Sequence, residues 1–156
     1  DALCESLHMQ YEASLVRNAA YLKWRYMDAP INNFQFWIAK KDGQLAGCLI
    51  SSRSMSRDGK LKGFILDWFV PRHETVIFHA LLNRALKWLL QERVSLVNIW
   101  ALHFENEFAR MIKSYLFIKK KRRKSFLMAH KTPEKLKLDP DTAKRFFATL
   151  GDTDFL

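Results

Sequence analysis

One stretch restricts the fold more than any other. Phe64-Ile-Leu-Asp-Trp-Phe-Val70 is an apolar run broken only by Asp67 and closed by Pro71. A long amphipathic segment follows, from Glu74 to Arg93, and then a second apolar run, Ser95 to Leu102. Short runs apolar on both faces read as buried strands. Between them Ile77, Leu81, Ala85, Trp88 and Leu89 recur at helical spacing, while Arg84, Lys87 and Gln91 fall on the opposite face. Two buried strands joined by such a crossover helix run parallel, and the crossover is right-handed. The chain is therefore expected to build an α/β mixed sheet.

The preceding residues extend that sheet. Residues 1–28 read as helical, because Leu15, Ala19, Leu22 and Tyr26 fall on one face. Asp28-Ala-Pro30 stops the helix, since the residue before a proline avoids the α region. Phe34 to Lys40 and Gln44 to Arg53 read as strands joined by a tight turn at Asp42-Gly43. A turn at Ser54–Gly59 leads into the strand Lys60 to Val70, completing an antiparallel meander. After Leu102 a short helix is expected over Glu105–Tyr115, an extended segment over Phe117–Lys131, a polar loop over Thr132–Asp141 and a last strand over Arg145–Leu150.

Composition narrows the class. The 156 residues suit one domain spanning 1–156, and 49% hydrophobic content with 13% aromatics marks a chain that folds around a core. Because the sequence begins at Asp1, it reads as the C-terminal part of a longer chain. No apolar run approaches the ~20 residues of a membrane span. Cys4 and Cys48 fit no metal or redox spacing, so a reducing, cytoplasmic setting is the expectation. The net charge of +10 favours anionic partners, and much of it sits in Lys119-Lys-Lys-Arg-Arg-Lys124. That run reads either as a solvated strand edge, where lysines block edge-to-edge pairing, or as an anion-binding patch. It lacks interleaved aromatics for base stacking, which argues against nucleic acid.

The order of elements, with Asn106-Glu-Phe-Ala109 opening the helix after the second buried strand, resembles the core of the GNAT acyltransferase superfamily without its first strand and helix. Arg17 to Tyr26 and Phe147 to Phe155 are similar to segments of bacterial GNAT-like proteins, some associated with polysaccharide gene clusters. The resemblance runs over most of 17–155 and implies a GNAT-like acyl-coenzyme A acyltransferase fold, with acetyl-CoA or a longer acyl-CoA as cofactor.

It implies site residues too. The third meander strand and the parallel strand should splay apart, with the pantetheine arm along Trp68, Phe69 and Val70. Phosphates should lie at the N-terminus of the crossover helix. The glycines of the family's phosphate loop fall here on Val76 and Phe78, and Glu74 brings a negative charge to the helix start. Arg72 and His73 partly compensate. Asn106 matches the family's cofactor-contacting Asn, or else serves only as a helix cap. Phe117 matches the aromatic of a Gly-Phe pair whose Gly is here Leu116, and the family's proton-donating tyrosine falls on Ile112.

For catalysis two residues stand out. Asp67 lies on the cofactor-side strand, where desolvation would raise its pKa, and His103 ends the opposite strand. Each has a structural alternative: Asp67 bonding a neighbouring backbone or pairing with Arg25, His103 as an ordinary structural histidine. Trp24, Arg25 and Tyr26 lie on the helix that in the family borders the acceptor pocket; Trp24 reads slightly better as core. Two functions remain open. One is transfer of an acyl group from acyl-CoA to a small amine or amino-sugar acceptor, with no metal. The other is a non-catalytic GNAT-like binding or assembly module with a degenerate CoA site.

Overall fold

The structure is a computed structural model that describes residues 2–8, 13–14, 18–30, 33–99, 101–102, 110, 112–118 and 146–149. The expected helix over 1–28 is interrupted. Helix α1 (Ala2–His8) is followed by a short strand, β1 (Ala13–Ser14), and helix resumes only at α2 (Ala19–Leu22). The reason is tertiary: β1 pairs in parallel with Phe146 and Phe147 of the C-terminal strand, far away in sequence. Asn18 starts α2 by accepting the Tyr21 N–H at 2.9 Å through its side chain. The helix then widens into a π-turn over Lys23–Met27, closed by a 2.9 Å bond from Asp28 N–H to the Lys23 carbonyl.

The meander forms as expected. β2 (Phe34–Lys41), β3 (Gln44–Met55) and β4 (Leu61–Phe69) are antiparallel neighbours. At the β2–β3 turn Asp42 and Gly43 have φ of 52° and 79°, the left-handed pair that matches the twist of a two-residue hairpin. Helix α3 (Thr75–Gln91) crosses over to β5 (Leu96–Ile99), which lies parallel to β4 with Lys62 opposite Leu96 and Ile65 opposite Ile99. The sheet order is β2-β3-β4-β5. Strand is described over both parts of the expected Ser95–Leu102 strand, with residue 100 outside the described residues; past it β6 (Ala101–Leu102) pairs antiparallel with β7 (Phe146–Thr149), which also carries β1.

Two cores flank the four-stranded sheet. Leu49, Ile65, Trp68 and Val70 meet Phe78, Leu81, Leu82, Ala85 and Leu89 of α3, with Ile112 beside them. On the other face Cys48, Ile50, Leu66 and Phe69 meet Tyr26, with Leu3 and Leu7 of α1 and Tyr21 and Leu22 of α2 packed around them. Phe78 and Leu82 join the buried face of α3 that periodicity outlined, whereas Trp88 is only half-buried.

Helix α3 approaches the sheet closely because glycine lets it. A Cβ on Gly63 would lie 2.8 Å from Leu89 Cδ2. The helix ends where Arg93 turns left-handed (φ 57°), its N–H bonding the Leu90 carbonyl and that of Val94 the Leu89 carbonyl. Leu116 repeats the device after the helical residues 112–114: its φ is 62°, and its N–H reaches the Lys113 carbonyl at 3.0 Å. A leucine there is strained by the contact of its Cβ with the following carbonyl.

Gly63→Ala should lower stability by roughly 1–3 kcal/mol in urea unfolding, as overpacking a fixed neighbour does. Leu116→Gly should do the reverse. The side chain is 86% exposed, so little packing is lost. Relief of left-handed strain, less the backbone entropy of glycine, should raise stability by roughly 0.5–1 kcal/mol.

Candidate active site

The site grows from a fault in the sheet. Ile50 stands opposite Asp67, yet Ser51 stands opposite Ile65, so Leu66 is an extra residue in β4. Such a bulge turns two successive side chains towards one face and bends the strand. Leu66 and Asp67 accordingly both face Tyr26, while Ile65 and Trp68 face α3. The described β4–β5 ladder reaches Ile65 opposite Ile99, just before the bulge, and β4 runs on to Phe69. Past residue 100, which lies outside the described residues, β6 pairs with β7, and β7 comes near β4.

Asp67 is 0% exposed, and a carboxyl so placed needs hydrogen-bond donors. Its Oδ1 accepts the Trp68 N–H at 3.0 Å, and its Oδ2 accepts the Tyr26 hydroxyl at 3.4 Å. The Tyr26 bond ties the π-turn to β4. Cys48 lies in the same cluster. Burial first, then the negative charges of Asp67 and Cys4, push its thiol up to about 12.

Trp68, Phe69 and Val70 are all buried, with Trp68 and Val70 packed on the α3 side and Phe69 on the α1–α2 side. Trp68 packs its ring edge-on against Phe78, centroids 5.6 Å apart. Their side chains belong to the two cores, so a ligand beside this stretch would meet it through its backbone. Past Val70, the Glu74 N–H bonds the Pro71 carbonyl at 2.9 Å and closes the turn that carries half-buried Arg72 and exposed His73.

Glu74 caps α3 by position, but its side chain makes no capping hydrogen bond. It bonds Lys41 of β2 instead, at 3.3 Å. The hairpin and the helix start are held together below this pair, where a Cβ on Gly47 would lie 2.7 Å from Ile77 Cγ2. Lys41 was invisible to sequence reasoning: no local pattern announces a partner on another element. Of the two residues at the family's glycine positions, Val76 is 78% exposed and Phe78 is core, so the Phe78 ring is not spread over the helix end.

Of the three residues expected near an acceptor, Tyr26 is 2% exposed and Arg25 half-buried. Trp24 is 64% exposed, which corrects its assignment to the core; the π-turn that carries Tyr26 inward leaves Trp24 outward. Ile112, at the family's tyrosine position, is buried against α3, and Tyr115 reaches α3 as well, its hydroxyl donating to the His79 carbonyl at 3.5 Å. Burial pushes the Tyr115 phenol above its usual range. His103, Asn106 and the Lys119–Lys124 run lie outside the described residues. Among the described residues no cluster of His, Cys, Asp or Glu suits a metal ion, and no helix is long and apolar enough to cross a membrane.

The Cys48 thiol should behave as a core group and not as a nucleophile. Iodoacetamide at pH 8 should leave it unmodified in the native protein and alkylate it once urea is added, as peptide mass mapping would show. Its folded pKa lies above the ordinary 9.0, so it costs the fold nothing below pH 9 and an increasing amount as pH climbs towards 12. Cys48→Ala should therefore lose less stability than the parent protein between those values.

Neither a protein-family model nor a curated protein matches the chain. Solved structures do. The aminoglycoside acetyltransferase meta-AAC0020, from an uncultured soil metagenomic sample and bound to sisomicin, aligns at TM-score 0.60 and 16% identity over 83% of this chain and 85% of that one. A second soil aminoglycoside acetyltransferase, HMB0005, aligns at TM-score 0.53 and 18% identity over 73% and 76%. A protein of Agrobacterium tumefaciens str. C58 that carries an acetyltransferase designation aligns at TM-score 0.59 and 11% identity over 83% and 90%. With its meander, crossover helix and parallel β4–β5 pair, the chain has the fold of the GNAT acetyltransferases.

Proposed function

We propose that the protein is an N-acyltransferase that moves an acyl group from acyl-CoA to a small amine, an amino sugar in the first instance. The observation that carries this reading is the parallel β4–α3–β5 unit, with the bulged strand β4 leading to the start of α3. In this reading the two strands diverge past the bulge and a thioester arm lies between them, with Trp68, Phe69 and Val70 along it. Its phosphates reach the N-terminus of α3, where backbone N–H groups and the helix dipole favour anions. Arg72 and His73 add charge at that end. Asn106, at the position matched to the family's cofactor-contacting Asn, is assigned to the arm.

In this reading the amine nitrogen attacks the thioester carbonyl carbon. A C–N bond forms, the C–S bond breaks, the sulfur leaves as the CoA thiolate, and the amine proton, taken up by a base, passes on to that sulfur to give the thiol. Asp67 is assigned to orientation before proton transfer, since both its oxygens are bonded inside the core. His103 is the candidate that removes the proton. With Cys48 buried, no protein thiol is needed as an acyl carrier.

A second reading has its own support. Glu74 brings a carboxylate to the helix start, and Ile112 stands where the family's proton donor would. Both suit a module that has kept the fold and lost catalysis.

Calorimetry with acetyl-CoA and a long-chain acyl-CoA, together with mass spectrometry of glucosamine incubated with each, separates the readings. The acyltransferase reading expects measurable binding and N-acylglucosamine. Arg72→Ala should loosen the cofactor roughly tenfold, the worth of one charge-assisted contact. Binding without any acylated amine would favour the module. Absence of binding by either cofactor would overturn the acyltransferase.

A further inference from the structure

Helix α3 carries charge that the rest of the fold leaves unanswered. Its 17 residues, Thr75–Gln91, include no Asp or Glu. The two carboxylates that bracket it are both engaged by the sheet, Glu74 with Lys41 at 3.3 Å and Glu92 with Arg53 at 2.7 Å. On the helix Val76, Ala80, Arg84 and Lys87 are all exposed. Steps of four, four and three residues set them in one stripe, opposite the face that Phe78, Leu82 and Leu89 bury. The stripe is apolar where the helix begins and cationic beyond. Among the described residues neither Arg84 nor Lys87 has an ion-pair partner.

The apolar end of the stripe coincides with the helix start that the acyltransferase reading gives to phosphates. Val76 and Phe78 stand there in place of the family's glycines, and Glu74 adds a carboxylate. Such an end is poorly suited to many phosphate charges. Coenzyme A brings a diphosphate and a further phosphate. The same pantetheine arm on a carrier protein ends in a single phosphodiester.

We propose that α3 docks a small acidic carrier protein as the acyl donor, with the donor's phosphopantetheine arm entering beside β4. Val76 and Ala80 meet the apolar surface around the arm's attachment point. Arg84 and Lys87, about 12 and 16 Å from Val76 at ~1.5 Å per helical residue, meet carboxylates of the carrier. The net charge of +10 adds long-range attraction for such a partner. Coenzyme A offers the same arm without a protein surface to cover the stripe, and is the weaker donor. The inference rests on the acyltransferase reading and names its donor. The bonds that form and break are the same, and the carrier's pantetheine sulfur leaves and takes up the proton.

The test supplies a bacterial acyl carrier protein and coenzyme A, each loaded with acetyl and with octanoyl groups, with glucosamine as acceptor. Calorimetry measures carrier binding directly. Wild type is compared with Arg84→Glu/Lys87→Glu and with the milder Arg84→Gln/Lys87→Gln, each confirmed folded by its thermal transition. In wild type KM for the carrier-bound donor should lie roughly tenfold below that for the CoA thioester and rise steeply with salt. Charge reversal should raise the carrier KM roughly tenfold and leave the CoA KM unchanged, with the glutamine variant between. A wild type that uses only the CoA thioester, or a carrier KM that charge reversal does not move, would overturn the docking face and leave the acyltransferase standing. Carrier binding that is lost on charge reversal, with no acylated amine from either donor, would uphold the docking face and remove the catalytic reading. Retention on phosphatidylglycerol vesicles through Arg84 and Lys87, with no carrier binding, would overturn the proposal in favour of a lipid surface.

Discussion

Strand β4 is a wall shared by two cores, and the bulge at Leu66 decides what each core receives. A regular strand would send alternate residues to opposite faces. The extra residue turns Leu66 and Asp67 towards the same face and puts a carboxyl into an apolar cluster. Burying that group without donors would cost several kcal/mol. The Tyr26 hydroxyl and the Trp68 N–H provide them. The position of the π-turn and the exposure of Trp24 both lie at this level of the strand.

At the other end of the wall the balance is electrostatic. An exposed carboxylate at a helix start usually binds the helix's own N–H groups. Glu74 is drawn to Lys41 instead, so its charge is countered from the hairpin and its oxygens are turned to another strand. The contact depends on the short distance between hairpin and helix that Gly47 permits. The result is a helix end less hostile to anions than the bare presence of a glutamate suggests.

Much of the architecture was legible in the sequence because its signals are local. Two apolar runs around a helical period define a βαβ unit, Asp42-Gly43 defines a hairpin, and a proline after Val70 ends a strand. Where reading failed, the cause lay elsewhere in the chain. The helix over 1–28 fails because β7 claims Ala13 and Ser14 as partners. Phe78 stands where the family's phosphate loop has a glycine, and its ring packs in the core against Trp68. Leu116 is the opposite case, since the position matched to a glycine does carry a left-handed backbone.

By itself, then, the sequence determined the order of elements, the parallel pairing across α3 and the identity of most core-facing side chains. These follow from periodicity and turn chemistry, which act over a few residues. Only the tertiary structure decided which way Asp67 faces, what it bonds and which of Trp24 and Tyr26 meets water. A bulge, a π-turn and an ion pair between distant elements each shift one residue's register or charge. Their energies come from partners on other strands and helices, and no local pattern encodes them.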